Sequence, residues 1–108
     1  MKVTPITPLT LKEKLTSSSR PLLLDVREQD EWDICHIEGA SLVPLGTVPD
    51  QISQILPHDQ PVVVYCHHGV RSLHAAEWMV ANGFEKVMNL EGGIDAWAAE
   101  VEPAMARY

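Results

Sequence analysis

A short stretch in the second half of the chain combines a nucleophile, a turn-forming glycine and a fixed cation: Cys66-His67-His68-Gly69-Val70-Arg71-Ser72. The β-branched run Pro61–Tyr65 before it predicts a buried strand, and the segment Leu73–Asn82 after it predicts a helix. A cysteine between a strand and a helix meets the free N–H groups and the positive dipole end of that helix, which favour a thiolate. Gly69 permits a positive φ in the turn, and Arg71 adds a planar cation. The stretch is therefore a candidate nucleophile site with an anion-binding loop.

Apolar runs and segments of helical periodicity alternate on both sides of this stretch. The runs predict strands at Val3–Ile6, Pro21–Val26, Ser41–Leu45, Pro61–Tyr65 and Glu85–Leu90. The periodic segments predict helices from Thr7 to Leu15, Arg27 to Ile34, Val48 to Leu56, Leu73 to Asn82 and Ile94 to Glu100. Short connections between them predict a parallel α/β sheet. Ligands of such sheets bind beyond the carboxyl ends of the strands, which is where Cys66 falls.

The bulk composition suits one soluble domain. The chain has 108 residues, so we expect a single domain over residues 1–108. The formal net charge of −7 disfavours nucleic-acid binding. No apolar run approaches the ~20 residues of a membrane span, and Met1–Pro5 lacks the apolar core of a signal peptide. We therefore expect a cytoplasmic protein that binds neither membranes nor nucleic acids, with Cys35 and Cys66 as unpaired thiols.

Three further stretches stand beside the cysteine loop as recognisable motifs: Leu24-Asp25-Val26-Arg27-Glu28 with Glu31-Trp32, His36-Ile37-Glu38-Gly39-Ala40, and Glu91-Gly92-Gly93-Ile94-Asp95-Ala96-Trp97. Together with the loop, these motifs resemble the single-domain rhodaneses, which are thiosulfate sulfurtransferases. Cys35 stands where the family usually has glycine, and Glu38 where it often has proline, but both departures concern a turn. The resemblance implies an α/β rhodanese-like domain of three layers, with a central, mostly parallel five-stranded sheet flanked by helices.

The resemblance also implies a sulfur transfer in which Cys66 is the catalytic nucleophile. Its thiolate would take the outer sulfur of thiosulfate or another sulfane donor, and a thiol, cyanide or thioredoxin-like acceptor would then remove that sulfur from the Cys66 persulfide. The residues expected to bind substrate are those of the loop, His67, His68, Gly69, Val70, Arg71 and Ser72. Their N–H groups would surround the persulfide, and Arg71 would bind the sulfonate of thiosulfate. No cofactor is implied.

Three charged residues have a structural interpretation beside the functional one. Arg71 could form an ion pair with Glu77 or another surface acid instead of binding substrate. Asp25 and Arg27 lie at the carboxyl end of a neighbouring strand. We expect these two to support the loop as an ion pair or a backbone brace.

The adjacent histidines His67 and His68 raise the question of a metal, because imidazoles beside a thiolate can bind zinc. Neighbouring histidines on a tight loop should diverge, and no further Cys/His pair has ligand spacing. We therefore predict no metal site. The histidines would instead add some positive charge, more of it below about pH 6.5.

Two other classes of function remain open from the sequence. Related phosphatases and arsenate reductases also use a loop cysteine with a downstream arginine, but with one more residue between them than the four that separate Cys66 from Arg71. The shorter loop favours sulfur transfer. Non-catalytic rhodanese-like binding modules have lost the cysteine, whereas this chain retains Cys66.

Overall fold

Five parallel strands form the centre of the computed structural model, which describes residues 2–108. The strands are β1 (Thr4–Ile6), β2 (Leu22–Asp25), β3 (Ser41–Leu42), β4 (Val62–Tyr65) and β5 (Val87–Leu90). Their order in the sheet is β1-β5-β4-β2-β3, and every pairing is parallel. The predicted α/β class and the five strands are confirmed. The sheet is wholly parallel, where the sequence prediction was of a mostly parallel one.

The helices are α1 (Pro8–Leu15), α2 (Gln29–Ile34), α3 (Val48–Ile55), α4 (Val70–Ala81) and α5 (Gly93–Glu100), with a 3₁₀ turn at Leu45–Thr47. Thr7 caps α1, because its Oγ1 accepts a hydrogen bond from the Thr10 amide. The predicted start of α4 is wrong. The helix begins at Val70 instead of Leu73, so Val70, Arg71 and Ser72 form its first turn and not the end of a loop.

The sheet separates two hydrophobic clusters, because successive side chains of a strand point to opposite faces. On one face, α3 and α4 cover the side chains of Val62 and Val64. On the other face, α1 and α5 cover those of Val63 and Tyr65. This is the predicted three-layer arrangement. Among residues 2–108, no helix has both the length and the hydrophobicity that crossing a membrane requires.

The buried face of α4 differs from its prediction. The spacing of Leu73, Ala76, Met79 and Val80 predicts that these four share the buried face. The buried residues are instead Ser72, Ala75, Ala76 and Met79. Ser72 faces the sulfur of Cys66, so the next residue along the helix, Leu73, is turned toward solvent and is 38% exposed. The helix is thus oriented by a polar contact at its first turn as well as by its apolar face.

The carboxyl end of β4 is attached to the first turn of α5. The amides of Ile94 and Asp95 donate to the carbonyl oxygens of Cys66 and His67, at 2.9 and 3.1 Å. Gly93 begins this helix at a φ of +61°, and a Cβ there would overlap the His67 carbonyl oxygen. Only glycine allows the helix to approach the loop backbone this closely.

We predict that Gly93→Ala lowers the free energy of unfolding by about 2–4 kcal/mol, because it adds both backbone strain and an overlap with the loop. It should also change the alkylation rate of Cys66 in the folded state. Urea denaturation and thiol labelling measure the two effects.

Gly46→Ala is the matched control, since a Cβ on Gly46 meets nothing within 4 Å. This variant should stay within about 0.5 kcal/mol of the parent protein. Equal losses in the two variants would show that the approach of α5 to the loop is not tight.

Candidate active site

Cys66 lies directly after β4, and its sulfur is surrounded by hydrogen-bond donors. Sγ lies 3.1 Å from the Gly69 amide nitrogen, 3.4 Å from the Ser72 amide nitrogen and 3.4 Å from the Ser72 hydroxyl. The residue is 1% exposed. Cys66 and Cys35 are both free thiols, as expected. Such oriented donors around one sulfur stabilise negative charge on it.

The backbone of Gly69 and the start of α4 produce this arrangement. Gly69 has a φ of +108°, a left-handed conformation that reverses the chain and lets the helix begin at Val70. The first amides of a helix have no partner within it, and Ser72 supplies one of them. Gly69 has no side chain with which to cap these amides. The sulfur of Cys66 therefore acts as the cap of α4, at the positive end of its dipole.

Asn89, near the end of β5, fixes Ser72 and Gly69. Its Nδ2 donates to the Gly69 carbonyl at 3.1 Å, and its Oδ1 accepts from the Ser72 hydroxyl at 2.5 Å. Ser72 has one hydroxyl proton, which can be donated either to Asn89 Oδ1 or to Cys66 Sγ. When Sγ is a thiolate, the hydroxyl can donate to it; when Sγ is a thiol, the hydroxyl can donate to Asn89 and accept from the thiol. The sequence analysis missed Asn89, and its one signal was a polar residue inside an apolar strand.

Arg71 forms an ion pair with Glu31 of α2. Its Nη1 and Nη2 donate to Oε1 and Oε2 of Glu31 at 2.7 and 2.8 Å. These bonds lower the pKa of Glu31 to about 2, and Glu31 in turn raises the pKa of Arg71. The structure thus has Arg71 in an ion pair, and the partner is Glu31 instead of the suggested Glu77. Sulfonate binding by Arg71 stays a prediction, and the sulfonate would either displace Glu31 or share the guanidinium with it.

Asp25 and Arg27 form a second ion pair, and both side chains are fully buried. Arg27 Nη2 lies 2.6 Å from Asp25 Oδ2 and 2.6 Å from the carbonyl oxygen of Cys35, at the end of α2. Burial alone would lower the pKa of Arg27, but the hydrogen bonds to Asp25 and Tyr108 outweigh it and raise that pKa. The pair connects β2 to α2, the helix that carries Glu31. Its expected support of the cysteine loop would therefore act through α2.

His67 and His68 do not diverge as the sequence analysis expected. Their rings stack with centroids 4.0 Å apart, and their ligand atoms lie within 4.8 Å of a carboxylate oxygen of Asp95. A metal ion must lie in the plane of each ligating ring, about 2.0–2.1 Å from the nitrogen. Stacked rings at this separation do not direct their nitrogens at one such point, and Asp95 is already paired with Arg107. The three groups are therefore poorly arranged to hold a metal.

The two histidines also differ in their surroundings. Burial, followed by the neighbouring His68, lowers the pKa of His67. Its Nε2 is buried and has no hydrogen-bond partner among residues 2–108. His67 therefore contributes less charge near neutral pH than the sequence analysis expected. His68 is exposed, and its Nε2 lies 3.6 Å from Asp95.

Tyr108 lies against the site and was not identified from the sequence. Its ring stacks on His67 with centroids 4.0 Å apart. Its hydroxyl donates to Glu31 Oε2 at 2.7 Å and accepts from Arg27 Nη1 at 2.9 Å. Burial raises the pKa of Tyr108 to about 12, so the hydroxyl stays protonated as a donor to Glu31. The tyrosine thus connects the two ion pairs.

Several known proteins are similar to this chain in sequence and in fold. A model of the rhodanese-like domain matches residues 7–100. "Probable adenylyltransferase/sulfurtransferase MoeZ" of Mycobacterium tuberculosis is 41% identical over 104 residues, which cover 95% of this chain but 26% of MoeZ. A protein named "Sulfurtransferase" from Allochromatium vinosum is 36% identical over 97 residues, which cover 90% of each chain.

A solved structure of similar shape is the rhodanese-like domain protein of Staphylococcus aureus. It superimposes with a TM-score of 0.83 at 34% sequence identity, over 92% of this chain and 95% of that one. The family match over residues 7–100, the relatives named as sulfurtransferases and the shared fold lead to one conclusion. The chain belongs to the rhodanese-like domain family.

Proposed function

We propose that this protein is a sulfurtransferase that carries a sulfane sulfur as a persulfide on Cys66. The observation that supports this best is the convergence of the Gly69 amide, the Ser72 amide and the Ser72 hydroxyl on Sγ. Donors in this position favour a sulfur anion both before and after a sulfur atom is added. The relative from Allochromatium vinosum that carries the name "Sulfurtransferase" aligns along 90% of its length, which agrees with the proposal.

In the first step, the Cys66 thiolate attacks the outer sulfur of the donor. With thiosulfate, a new S–S bond forms to Sγ, the S–S bond of thiosulfate breaks, and sulfite leaves with the electron pair. The product is the anionic persulfide Cys66–S–S⁻. Its terminal sulfur would lie among the amides of the loop from His67 to Ser72, of which those of Gly69 and Ser72 point at Sγ.

In the second step, an acceptor nucleophile attacks the terminal sulfur of the persulfide and releases the Cys66 thiolate. Cyanide would leave as thiocyanate, and a thiolate would leave as a new persulfide. The two half-reactions share one covalent intermediate, so the kinetics should be ping-pong. The partners we propose are a thiosulfate or persulfide donor and a thiol, cyanide or thioredoxin-like acceptor. The reaction needs no cofactor, and we place it in the cytoplasm on a single domain.

We predict that the protein gains the mass of one sulfur atom when it is incubated with thiosulfate, and that reductant removes it. Cys66→Ser should abolish both the mass gain and turnover while circular dichroism remains that of the parent protein. Intact-mass spectrometry with and without reductant provides the measurement.

Cys35→Ser is the matched control, because Arg27 binds the backbone carbonyl of Cys35 and not its thiol. This variant should retain most of the activity. A mass gain that persists in Cys66→Ser but disappears in Cys35→Ser would show that Cys35 is the nucleophile and contradict the proposal.

We predict negligible hydrolysis of aryl phosphates by the native protein. A phosphate needs donors around three equatorial oxygens and in-line access for the thiolate, and the four residues between Cys66 and Arg71 close a smaller ring. Inserting one glycine between Gly69 and Val70 should enlarge the loop. It should lower sulfur transfer by about a hundredfold, since misplacement by about 1 Å has that effect on displacement reactions.

Parallel assays with thiosulfate plus cyanide and with p-nitrophenyl phosphate distinguish the two reactions. Rapid phosphatase turnover by the native protein, with no persulfide on Cys66, would contradict the proposed sulfur transfer. Unchanged sulfur transfer after the insertion would show that loop size does not select the reaction.

A further inference from the structure

We propose that Glu31 determines donor specificity by holding the guanidinium of Arg71, so that the site favours an organic hydropersulfide over the thiosulfate dianion. This inference rests on the proposed sulfur transfer and concerns which donor that reaction uses. Glu31 lies outside the cysteine loop, 40 residues before Arg71, and makes contact with it only through the fold.

Glu31 is held firmly in its place by four hydrogen bonds. Oε1 accepts from Arg71 Nη1 at 2.7 Å and from the Glu28 amide at 3.0 Å, the latter as part of the capping box of α2. Oε2 accepts from Arg71 Nη2 at 2.8 Å and from the Tyr108 hydroxyl at 2.7 Å. A carboxylate has about four such acceptor positions, so these are filled. The carboxylate is therefore fixed by its own helix and by Tyr108, independently of Arg71.

The other arginines near the loop are also paired with acids. Arg27 binds Asp25, and Arg107 binds Asp95 at 2.9 Å. Arg71 lowers the pKa of Glu31 to about 2, so Glu31 stays ionised and paired with Arg71 at neutral pH. An approaching dianion thus meets arginines whose charge is already balanced, in a protein of formal net charge −7.

This arrangement affects the two donor classes differently. Glu31 holds the Nη1–Nη2 edge of Arg71 and balances its charge. The sulfonate of thiosulfate must therefore displace Glu31 or share the guanidinium with it, which leaves two anions beside one cation. A hydropersulfide RS–SH has no sulfonate and needs no such exchange. The Cys66 thiolate attacks its outer sulfur, the RS–SH bond breaks, and the departing RS⁻ takes the proton to give RSH and Cys66–S–S⁻. The discrimination therefore arises from the leaving group.

The test compares kcat/KM for thiosulfate with kcat/KM for 2-hydroxyethyl hydropersulfide at one pH and one ionic strength. Glu31→Gln removes the charge but keeps an acceptor for the Glu28 amide, since glutamine also completes a capping box. This variant should raise kcat/KM for thiosulfate by roughly ten- to a hundredfold, the effect of gaining a charge-assisted contact. The kcat/KM for the hydropersulfide should change by less than about threefold, because this donor has no sulfonate to form that contact with Arg71.

Two further variants identify the cause. Asp33→Asn makes the same charge change on the same helix, but Asp33 is exposed. Within residues 2–108 its side chain bonds only to Gln29, so the donor ratio should not change. In Glu31→Gln with Arg71→Gln, the gain with thiosulfate should disappear, because the freed guanidinium is absent. Circular dichroism and urea denaturation confirm that each variant is folded.

The outcomes separate this inference from the function on which it rests. Transfer from both donors with a ratio that Glu31→Gln leaves unchanged would overturn the role of Glu31 and leave the sulfurtransferase proposal intact. An equal rise in the Asp33→Asn control would also overturn it, because net charge would then explain the effect. Transfer from neither donor by the parent protein, with no sulfur gained on Cys66, would overturn the proposed function and this inference with it.

Discussion

The cysteine loop depends on two hydrogen bonds that come from outside it, from the first turn of α5. The amides of Ile94 and Asp95 bind the carbonyl oxygens of Cys66 and His67. In a planar trans peptide the carbonyl and the following N–H point in opposite directions. Binding these carbonyls to α5 therefore turns the amides of His67 and His68 away from that helix. The same contact also satisfies amides that α5 could not pair internally.

The sequence predicted the scaffold well, because its signals are local. The apolar runs of β2 and β4 are strands buried on both faces, and Thr7 marks the start of α1. The position of Cys66 at the end of β4 follows from the run before it. The start of α4 was misplaced, because Val70 and Ser72 resemble loop residues until the left-handed turn at Gly69 is known. Local patterns thus place the nucleophile but not the groups around it.

The partners of the loop could not be predicted, because they come from distant parts of the chain. Arg71 and Glu31 are 40 residues apart, Ser72 and Asn89 are 17 apart, and Tyr108 and Glu31 are 77 apart. No residue spacing along a helix or strand indicates such contacts. The motif Glu91–Trp97, which contains Gly93, was recognised only as a family pattern. The structure gives the reason for its glycine, which is the close approach of α5 to the loop. A single sequence therefore carries no recognisable signal for contacts between individual side chains that lie far apart along the chain.

The two ion pairs beside the site have similar hydrogen bonds but different burial, and this difference separates their roles. Asp25 and Arg27 are fully buried, and breaking such a pair leaves an uncompensated charge in the interior, at about 3–5 kcal/mol. The side chains of Arg71 and Glu31 are 36% and 16% exposed, and pairs near solvent contribute about 0–1 kcal/mol to stability. The first pair therefore holds β2 and α2 together. The second pair can be altered without loss of the fold, so Glu31 and Arg71 are available for a role in binding the donor.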